Sequence, residues 1–346
     1  MTNKTVSRRN FIKMSALSLG SLAFTPRLNS ERPSTHRKLA RVAIVDGQEI
    51  RDSVSVHRSA NDESVILYQR FRDDLVNVYY EVNSEHGPEY NPIWYRVWGG
   101  YIHRGHLQDV EYVLNPVASA INEDRQLGEI TVPFSRSMIF TKLRGWEPAY
   151  RLYYETTHWI FDIVTGPDGQ PWYKLQDEAI NNIDLFIPAP HMRIVKDSEL
   201  EPISPDVPPG EKWIDISIAR QVLTAYEGDK VALQTKISSG VLTEAKQTPL
   251  GEFRMNSTYP SKHMGNGDLT DKITAYELVG VPWTCFFNEG IATHGTYWHT
   301  NFGIPMSSGC INMWNNEAKW LYRWVTPSPD PHKKYTIGSG TRVIVH

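Results

Sequence analysis

Two histidines and a cysteine lie close together near the end of the chain, in the stretch HGTYWHTNFGIPMSSGCINM that begins at His294. The chain has only two cysteines in 346 residues, and Cys310 is one of them. A cysteine attacks as the thiolate, and a free thiol with a pKa of about 8.5 needs a nearby base to form it. His294 and His299 are the candidate bases. The stretch therefore predicts nucleophilic chemistry with Cys310 as the attacking group.

The backbone beside Cys310 suits attack on a carbonyl group. Gly309 removes a side chain next to the thiol, and the N–H groups of Ser308, Gly309 and Cys310 can point at a developing oxyanion. His294 and His299 would face opposite sides of an extended strand, but they can lie together on a turn.

Three other roles are open for these residues. His294, His299 and Cys310 can ligate zinc, although a structural site needs a fourth ligand and no paired motif stands near. The histidines can be hydrogen-bonded structural residues, which fits His299 better than His294. Cys285 and Cys310 can form a disulfide, but Cys285 lies in the apolar run VPWTCFF, where a cysteine is usually a small inert hydrophobe. We expect a buried Cys285 and a free Cys310.

The elements that must position these residues are mainly strands. Two alternating runs flank the hairpin turn YEGDK, and the Thr-Pro turn of TPLGEF leads into another strand. The polar segment 256–275 has little periodicity and is typical of a mobile flap. A helix follows Cys310, with Asn315 as its predicted cap. Its apolar face is made of Ala318, Leu321, Trp324 and Val325.

The last third of the sequence resembles a known family. TPLGEF followed by HGTYWHTNFGIPMSSGCIN is similar to the L,D-transpeptidase catalytic domain of bacterial cell-wall synthesis, whose signature is His…Ser-His-Gly-Cys. The resemblance covers residues 211–346. The residues that carry it are Thr248, Pro249, Gly251, Phe253, His294, Gly295, Trp298, His299, Phe302, Gly303, Ser307, Gly309, Cys310 and Asn312.

The resemblance implies a β-sandwich in which Cys310 is the nucleophile and His294 is its base, oriented by the backbone carbonyl of Gly295. The donor would be a peptidoglycan tetrapeptide stem, attacked at its third residue with release of D-Ala. The acyl group would then pass to an amine on a second stem, giving a 3→3 crosslink, or to water. Carbapenems would acylate the same cysteine. The resemblance implies no metal and no organic cofactor.

The remaining expected site residues surround this pair. Ser308, Gly309 and Asn312 are assigned to the oxyanion and donor site. Substrate contacts are assigned to Tyr297, Trp298 and His299. Ser308 departs from the signature, which has histidine directly before Gly-Cys, and a hydroxyl cannot carry charge near neutral pH. Our hypothesis is that His299 occupies the space of the signature histidine that Ser308 replaces.

The first half of the chain contains an internal repeat. Trp94-Tyr95-Arg96-Val97 is followed by Ile102 and His106-Leu107, and Trp172-Tyr173-Lys174-Leu175 is followed by Phe186-Ile187 and His191-Met192. Short strand-like runs surround both copies, which predicts SH3-like small β-barrels at 39–112 and 130–196. A Pro-rich linker at 197–210 precedes the catalytic domain at 211–346.

The N-terminus, SRRNFIK followed by a mildly apolar run from Met14 to Phe24, resembles a twin-arginine export signal. Residues 1–38 are therefore interpreted as signal and tether, with the twin-arginine translocase as a partner and the cell envelope as the destination. The net charge of −3 is close to neutral, and the sequence shows neither a basic nucleic-acid-binding surface nor a polybasic membrane patch.

Several further function classes stay open beside the transpeptidase. Papain-like wall peptidases place Cys before His, the reverse of the order here. Sortases run His then Cys with an essential Arg afterwards, and Arg323 and Arg342 are available. A wall-binding protein whose catalytic domain has lapsed is the non-enzymatic possibility.

Overall fold

A computed structural model describes most of the chain. The described residues are 38–43, 53–121, 124–176, 184–265 and 277–346. The predicted export signal and tether, apart from Lys38, lie outside them, as does the predicted flap from residue 266 onward. Strands dominate, so the prediction of a mainly β protein is confirmed. No helix within the described ranges is long and apolar enough to cross a membrane.

Residues 38–110, here the first module, form two small sheets around one apolar core. The strands are β1 (Lys38–Val42), β2 (Ser53–His57), β3 (Ile66–Phe71), β4 (Leu75–Val78), β5 (Tyr80–Asn83), β6 (Ile93–Val97), β7 (Gly100–His103) and β8 (Leu107–Val110). The sheet orders are β4-β1-β8 and β3-β2-β7-β6-β5. In SVSVH the two valines, Val54 and Val56, point into the core, as the alternation requires.

Residues 126–194, here the second module, form one seven-stranded sheet. The strands are β9 (Gln126–Ile130), β10 (Phe134–Thr141), β11 (Gly145–Tyr153), β12 (Thr157–Thr165), β13 (Pro171–Gln176), β14 (Asp184–Pro188) and β15 (Met192–Ile194). Their order in the sheet is β11-β10-β14-β13-β12-β9-β15.

The repeated sequence has the same local structure in both modules. Trp94 begins its match on β6, which pairs with β7, and a 3-10 helix at Arg104–His106 leads into β8. Trp172 begins the second copy on β13, which pairs with β14, and a 3-10 helix at Ala189–His191 leads into β15. The SH3-like assignment of the two modules stays a prediction.

The C-terminal domain consists of two five-stranded sheets and one helix. Its elements are β16 (Lys212–Ser217), β17 (Val222–Glu227), β18 (Lys230–Lys236), β19 (Gly251–Arg254), β20 (Ser257–Gly265), β21 (Glu277–Asn288), β22 (Ile291–Gly295), β23 (Ile311–Met313), α1 (Asn315–Trp324), β24 (Thr336–Ile337) and β25 (Arg342–Val345). The sheet orders are β18-β17-β16-β25-β19 and β23-β22-β21-β20-β24. Both sheets and α1 contribute to one core, the predicted β-sandwich.

Two local predictions need correction. Residues 257–265 of the predicted flap form strand β20 along β21, and buried polar residues such as Thr258 and His263 hide its period. Asn315 is the first residue of α1 rather than its cap, and its amide Nδ2 donates to Glu155 Oε2 at 2.7 Å instead of to the helix.

The Pro-rich linker packs against the C-terminal domain. Leu200 is buried in the core of that domain, and the Ile203 N–H donates to the Arg323 carbonyl at 2.9 Å. Lys212 Nζ donates to the carbonyls of Ile203 and Trp324, at 2.9 and 3.0 Å. The segment between the second module and β16 is therefore held along α1.

The second module packs against the β20–β21 hairpin. Thr157 Oγ1 donates to the Pro260 carbonyl at 2.7 Å. Gly280 has a φ of +70°, and a Cβ there would lie 2.2 Å from Cε1 of His158. A glycine is required at this position for both reasons. One wall of the C-terminal domain thus rests directly on a strand of the second module.

Candidate active site

His294 lies near the end of β22, next to β23 in a parallel pair where it stands opposite Asn312. Its Nδ1–H donates to the Gly295 carbonyl at 2.9 Å, so the neutral ring keeps its lone pair on Nε2. Burial lowers the pKa of His294 to about 4. At neutral pH the side chain is therefore an uncharged base with a fixed tautomer.

Cys310 immediately precedes β23 and is half-buried. Its thiol donates to the Gly290 carbonyl at 3.7 Å. Burial raises the pKa of Cys310 to about 11, against a backbone hydrogen bond from Ala292 that lowers it. Both shifts favour a neutral thiol and a neutral imidazole over an ion pair.

Both side chains line one cavity of about 290 Å³. Of the expected site residues, Ser308, Trp298 and Asn312 also line it. The Trp298 ring lies 5.6 Å from the His294 ring, which places an aromatic wall beside the base. The cavity therefore brings together a thiol, an imidazole, a hydroxyl and an amide.

The turn that carries Cys310 is held by two buried hydroxyls. Thr248 Oγ1 donates to the Gly309 carbonyl at 2.8 Å and accepts from the Gly240 N–H at 2.9 Å. Ser307 Oγ accepts from the Gly309 N–H at 3.1 Å and donates to the Cys310 carbonyl. The Gly309 N–H is thus engaged, which corrects the expectation of three oxyanion donors. Ser308 and Cys310 supply the two candidates that are left.

Gly309 is required for a reason beyond clearing the thiol. Its φ is +121°, a backbone conformation that side chains rarely adopt. A Cβ there would lie 2.6 Å from Cδ1 of Ile291, on the strand that carries His294. The glycine therefore allows the turn that carries Cys310 to approach β22.

His299 is a buried, hydrogen-bonded histidine. Its Nδ1 accepts from the Asn301 N–H at 3.2 Å, and burial lowers its pKa to about 3. Because Nδ1 accepts, the neutral ring carries its proton on Nε2. Nε2 lies 2.8 Å from the side-chain amide of Asn312. The Asn312 amide must therefore turn its oxygen toward this N–H to accept the hydrogen bond. With both nitrogens used, His299 has no free group to replace an imidazole at Ser308.

Tyr297 also points away from the cavity. Its ring stacks on Tyr153 of the second module at 5.4 Å, and its hydroxyl donates to the Val279 carbonyl at 3.4 Å. Neither Tyr297 nor His299 is among the described residues that line the cavity. Their positions give no support to the prediction that they contact substrate.

The positions of the cysteines and arginines also bear on three alternatives: a Cys285–Cys310 disulfide, a zinc site and a sortase-like arginine. Cys285 is fully buried on β21 and both cysteines are free, as predicted. Within the described ranges, no cluster of His, Cys, Asp or Glu could hold a metal ion. Arg323 donates to the Glu201 carbonyl and Arg342 pairs with Glu252, both away from the cavity.

Sequence reasoning missed the wall contributed by β20. Lys262, His263 and Met264 line the cavity, together with Phe286 of β21. A β-bulge between Lys262 and Met264 accommodates His263, whose Nε2 lies 2.5 Å from Glu277 Oε2. The only sequence signal is the run KHM, which lacks a period of two and falls within the predicted flap.

A known protein family matches the part of the chain that holds this cavity. Residues 211–345 match the YkuD family, described as the L,D-transpeptidase catalytic domain. These residues form an L,D-transpeptidase catalytic domain. The match begins at Glu211, directly after the predicted linker. No curated protein matches the chain.

Solved L,D-transpeptidases are similar to parts of this chain. A mutant of the Enterococcus faecium enzyme is 23% identical over 39% of this chain and 50% of its own, with a TM-score of 0.31. The match therefore spans half of that enzyme. A Mycobacterium smegmatis enzyme is 18% identical over 47% of this chain and 73% of its own, with a TM-score of 0.32. The E. faecium catalytic domain acylated by ertapenem is 25% identical over 39% of this chain and 97% of its own, with a TM-score of 0.29.

Proposed function

We propose that this protein is a peptidoglycan L,D-transpeptidase with Cys310 as its nucleophile and His294 as its general base. One observation carries the proposal. Cys310 and His294 line the same cavity, and the Gly295 carbonyl holds Nδ1–H so that the Nε2 lone pair of His294 is the one available. A thiol without a base would not be activated at neutral pH.

The acylation half-reaction uses both groups. The Cys310 thiol gives its proton to His294 Nε2 as its sulfur attacks the carbonyl of the third residue of a tetrapeptide stem. The N–H groups of Ser308 and Cys310 stabilise the tetrahedral oxyanion. The C–N bond to the terminal D-Ala then breaks, and protonated His294 gives the proton to the leaving amine.

Transfer repeats these steps in reverse order. An amine on a second stem, or water, loses a proton to His294 and attacks the thioester, and Cys310 leaves as the thiol. The product is a 3→3 crosslink or a hydrolysed stem. Carbapenems acylate Cys310 by the same attack, which opens the β-lactam ring without a leaving group. Trp298 and Asn312, on the cavity wall, contact the donor.

Ser308 shapes the donor side of the cavity in place of the signature histidine. It lines the cavity as a neutral hydroxyl, so it can donate or accept a hydrogen bond but brings no charge. We expect Ser308→His to leave turnover similar or higher. The thiol and the base are both present, which favours an active enzyme over a lapsed, wall-binding protein.

Export places the enzyme with its substrate. The twin-arginine pair Arg8–Arg9 directs the chain through the twin-arginine translocase to the cell envelope. Replacing both arginines by lysine is expected to keep the protein inside the cell, seen by fractionation. Normal export of that variant would exclude this route.

Muropeptide analysis tests the proposed reaction. Purified protein is incubated with tetrapeptide-stem muropeptides, and dimers are sequenced by tandem mass spectrometry. We expect 3→3 dimers or trimmed tripeptides from the wild type and neither from Cys310→Ala. Products joined at the fourth residue, or no products although the protein binds wall sacculi, would contradict the proposal.

A further inference from the structure

A single buried arginine joins the first module to the segment that follows His294. Arg41 lies on β1, the central strand of its sheet, and is 1% exposed. Its Nη2 donates to the Tyr297 carbonyl at 2.8 Å. The two residues are 256 positions apart in the chain. An arginine is costly to bury unless its donors are used, so the contacts around it define what it holds.

The other contacts of the guanidinium come from both modules. Nη1 donates to Asp73 Oδ1 at 2.9 Å, and Nη2 donates to Gln108 Oε1 at 2.8 Å. The plane lies over the Tyr153 ring, with Cζ 4.0 Å from its centroid. Asp73 also pairs with Arg151 of the second module. These contacts fix the guanidinium from several directions, so its hydrogen bond to Tyr297 is rigidly aimed.

The Tyr297 carbonyl belongs to the segment that orients the base. Gly295, two residues earlier, provides the carbonyl that accepts from His294 Nδ1–H at 2.9 Å. Trp298, the next residue, is the cavity wall 5.6 Å from the His294 ring. If residues 295–298 shift, the acceptor of His294 and the aromatic wall move together. Small displacements of this kind are costly to catalysis even when folding survives.

The first module also holds the next part of this segment, at Thr300. The Thr300 N–H donates to the Gly105 carbonyl at 2.9 Å, and its Oγ1 donates to the Arg104 carbonyl at 2.7 Å. Asn91 Nδ2 donates to the Thr300 carbonyl at 3.2 Å. The backbone between β22 and the Cys310 turn is therefore attached to the first module at several points.

We propose that Arg41 is a positioning residue for His294, through which the first module completes the active site of the C-terminal domain. The proposal rests on the proposed function of Cys310 and His294. The first module is then a part of the enzyme rather than a spacer. Arg41 itself does not touch the reacting atoms.

Carbapenem acylation of the full-length protein tests the proposal. Arg41→Lys keeps the charge but cannot reach Tyr297, Asp73 and Gln108 together. We expect its first-order acylation rate constant to fall about tenfold or more, with the concentration for half-maximal rate changed by less than about threefold. The pH at which acylation is lost should also rise, because a displaced His294 is less buried and has a more ordinary pKa. A thermal melt shows whether the variant is folded.

Arg96→Lys is the matched control. Arg96 is in the first module, donates to the Gly100 carbonyl at 2.8 Å and lies over the Tyr101 ring, both in the same module. Its acylation rate should stay within about twofold of the wild type.

A folded Arg41→Lys variant with wild-type acylation rate and pH profile overturns the proposal. If Arg41→Lys does not fold, the isosteric variant Asp73→Asn takes its place as the test. It weakens the ion pair that holds the Arg41 guanidinium, and Asp73 does not line the cavity. A loss of about threefold or more in its rate constant supports the proposal, and a wild-type rate overturns it. A wild type that never acylates contradicts the proposed function instead, so the two failures are distinct.

Discussion

His294 stands opposite Asn312 in the parallel pair of β22 and β23, and Asn312 lies two residues beyond Cys310. The parallel pairing of β22 and β23 thus brings His294 and Cys310, the residue before β23, to one cavity. The same Asn312 side chain contacts His299 at 2.8 Å, so the strand that follows the nucleophile is also tied to a buried histidine. Backbone pairing and side-chain hydrogen bonds together hold these residues in place.

Thr248→Val should slow acylation because it releases the nucleophile turn. The valine keeps the shape but removes the hydrogen bonds to the Gly309 carbonyl and the Gly240 N–H. Two buried backbone groups lose their partner, at a cost of about 1–3 kcal/mol each. We expect a rate constant for carbapenem acylation about tenfold lower, measured by stopped flow. Thr341→Val, at a buried threonine that bonds Thr326, is the control and should destabilise without the same loss of rate.

The pH dependence of acylation should reflect a neutral resting pair. The pKa of His294 is lowered to about 4, so the base is protonated and inactive only below that pH. The pKa of Cys310 is raised to about 11, so no thiolate accumulates near neutrality. We expect a rate that is flat from about pH 5 to 9 and falls about tenfold per unit below pH 4. A rate that rises through pH 6–7, with thiolate absorbance at neutral pH, would instead indicate an ion pair.

Leu200→Ala should destabilise the C-terminal domain although Leu200 lies before the matched region. The side chain is 2% exposed and belongs to the core of that domain. Removing a buried leucine costs about 2–5 kcal/mol, which a urea titration detects. Leu242→Ala, at a leucine that is 74% exposed, is the control with little expected change. Equal stability of both variants would show that the linker is not part of the core.

The sequence was sufficient to predict the fold class and to single out Cys310 and His294, which line one cavity. The signals for Cys310 and His294 are local, because His294, Gly309 and Cys310 lie close together in the sequence. The period of two in SVSVH and the repeat at Trp94 and Trp172 are likewise local, and they correctly indicated strands.

The supporting contacts could not be predicted, since they join distant residues. Arg41 meets Tyr297 across 256 positions, and Thr248 meets Gly309 across 61. His263 enters the cavity through a bulge, which no alternation pattern shows. For His299 the sequence leaves a structural and a chemical role open, and the bonds to Asn301 and Asn312 favour the structural one.

Intact-mass spectrometry after incubation with a carbapenem tests the central claim most directly. The wild type should gain the mass of one carbapenem, mapped by peptide digestion to Cys310 and not to the buried Cys285. Cys310→Ala should gain none, and His294→Gln should react at least about 100-fold more slowly. A wild type without an adduct, or an adduct that persists in Cys310→Ala, would contradict Cys310 as the nucleophile.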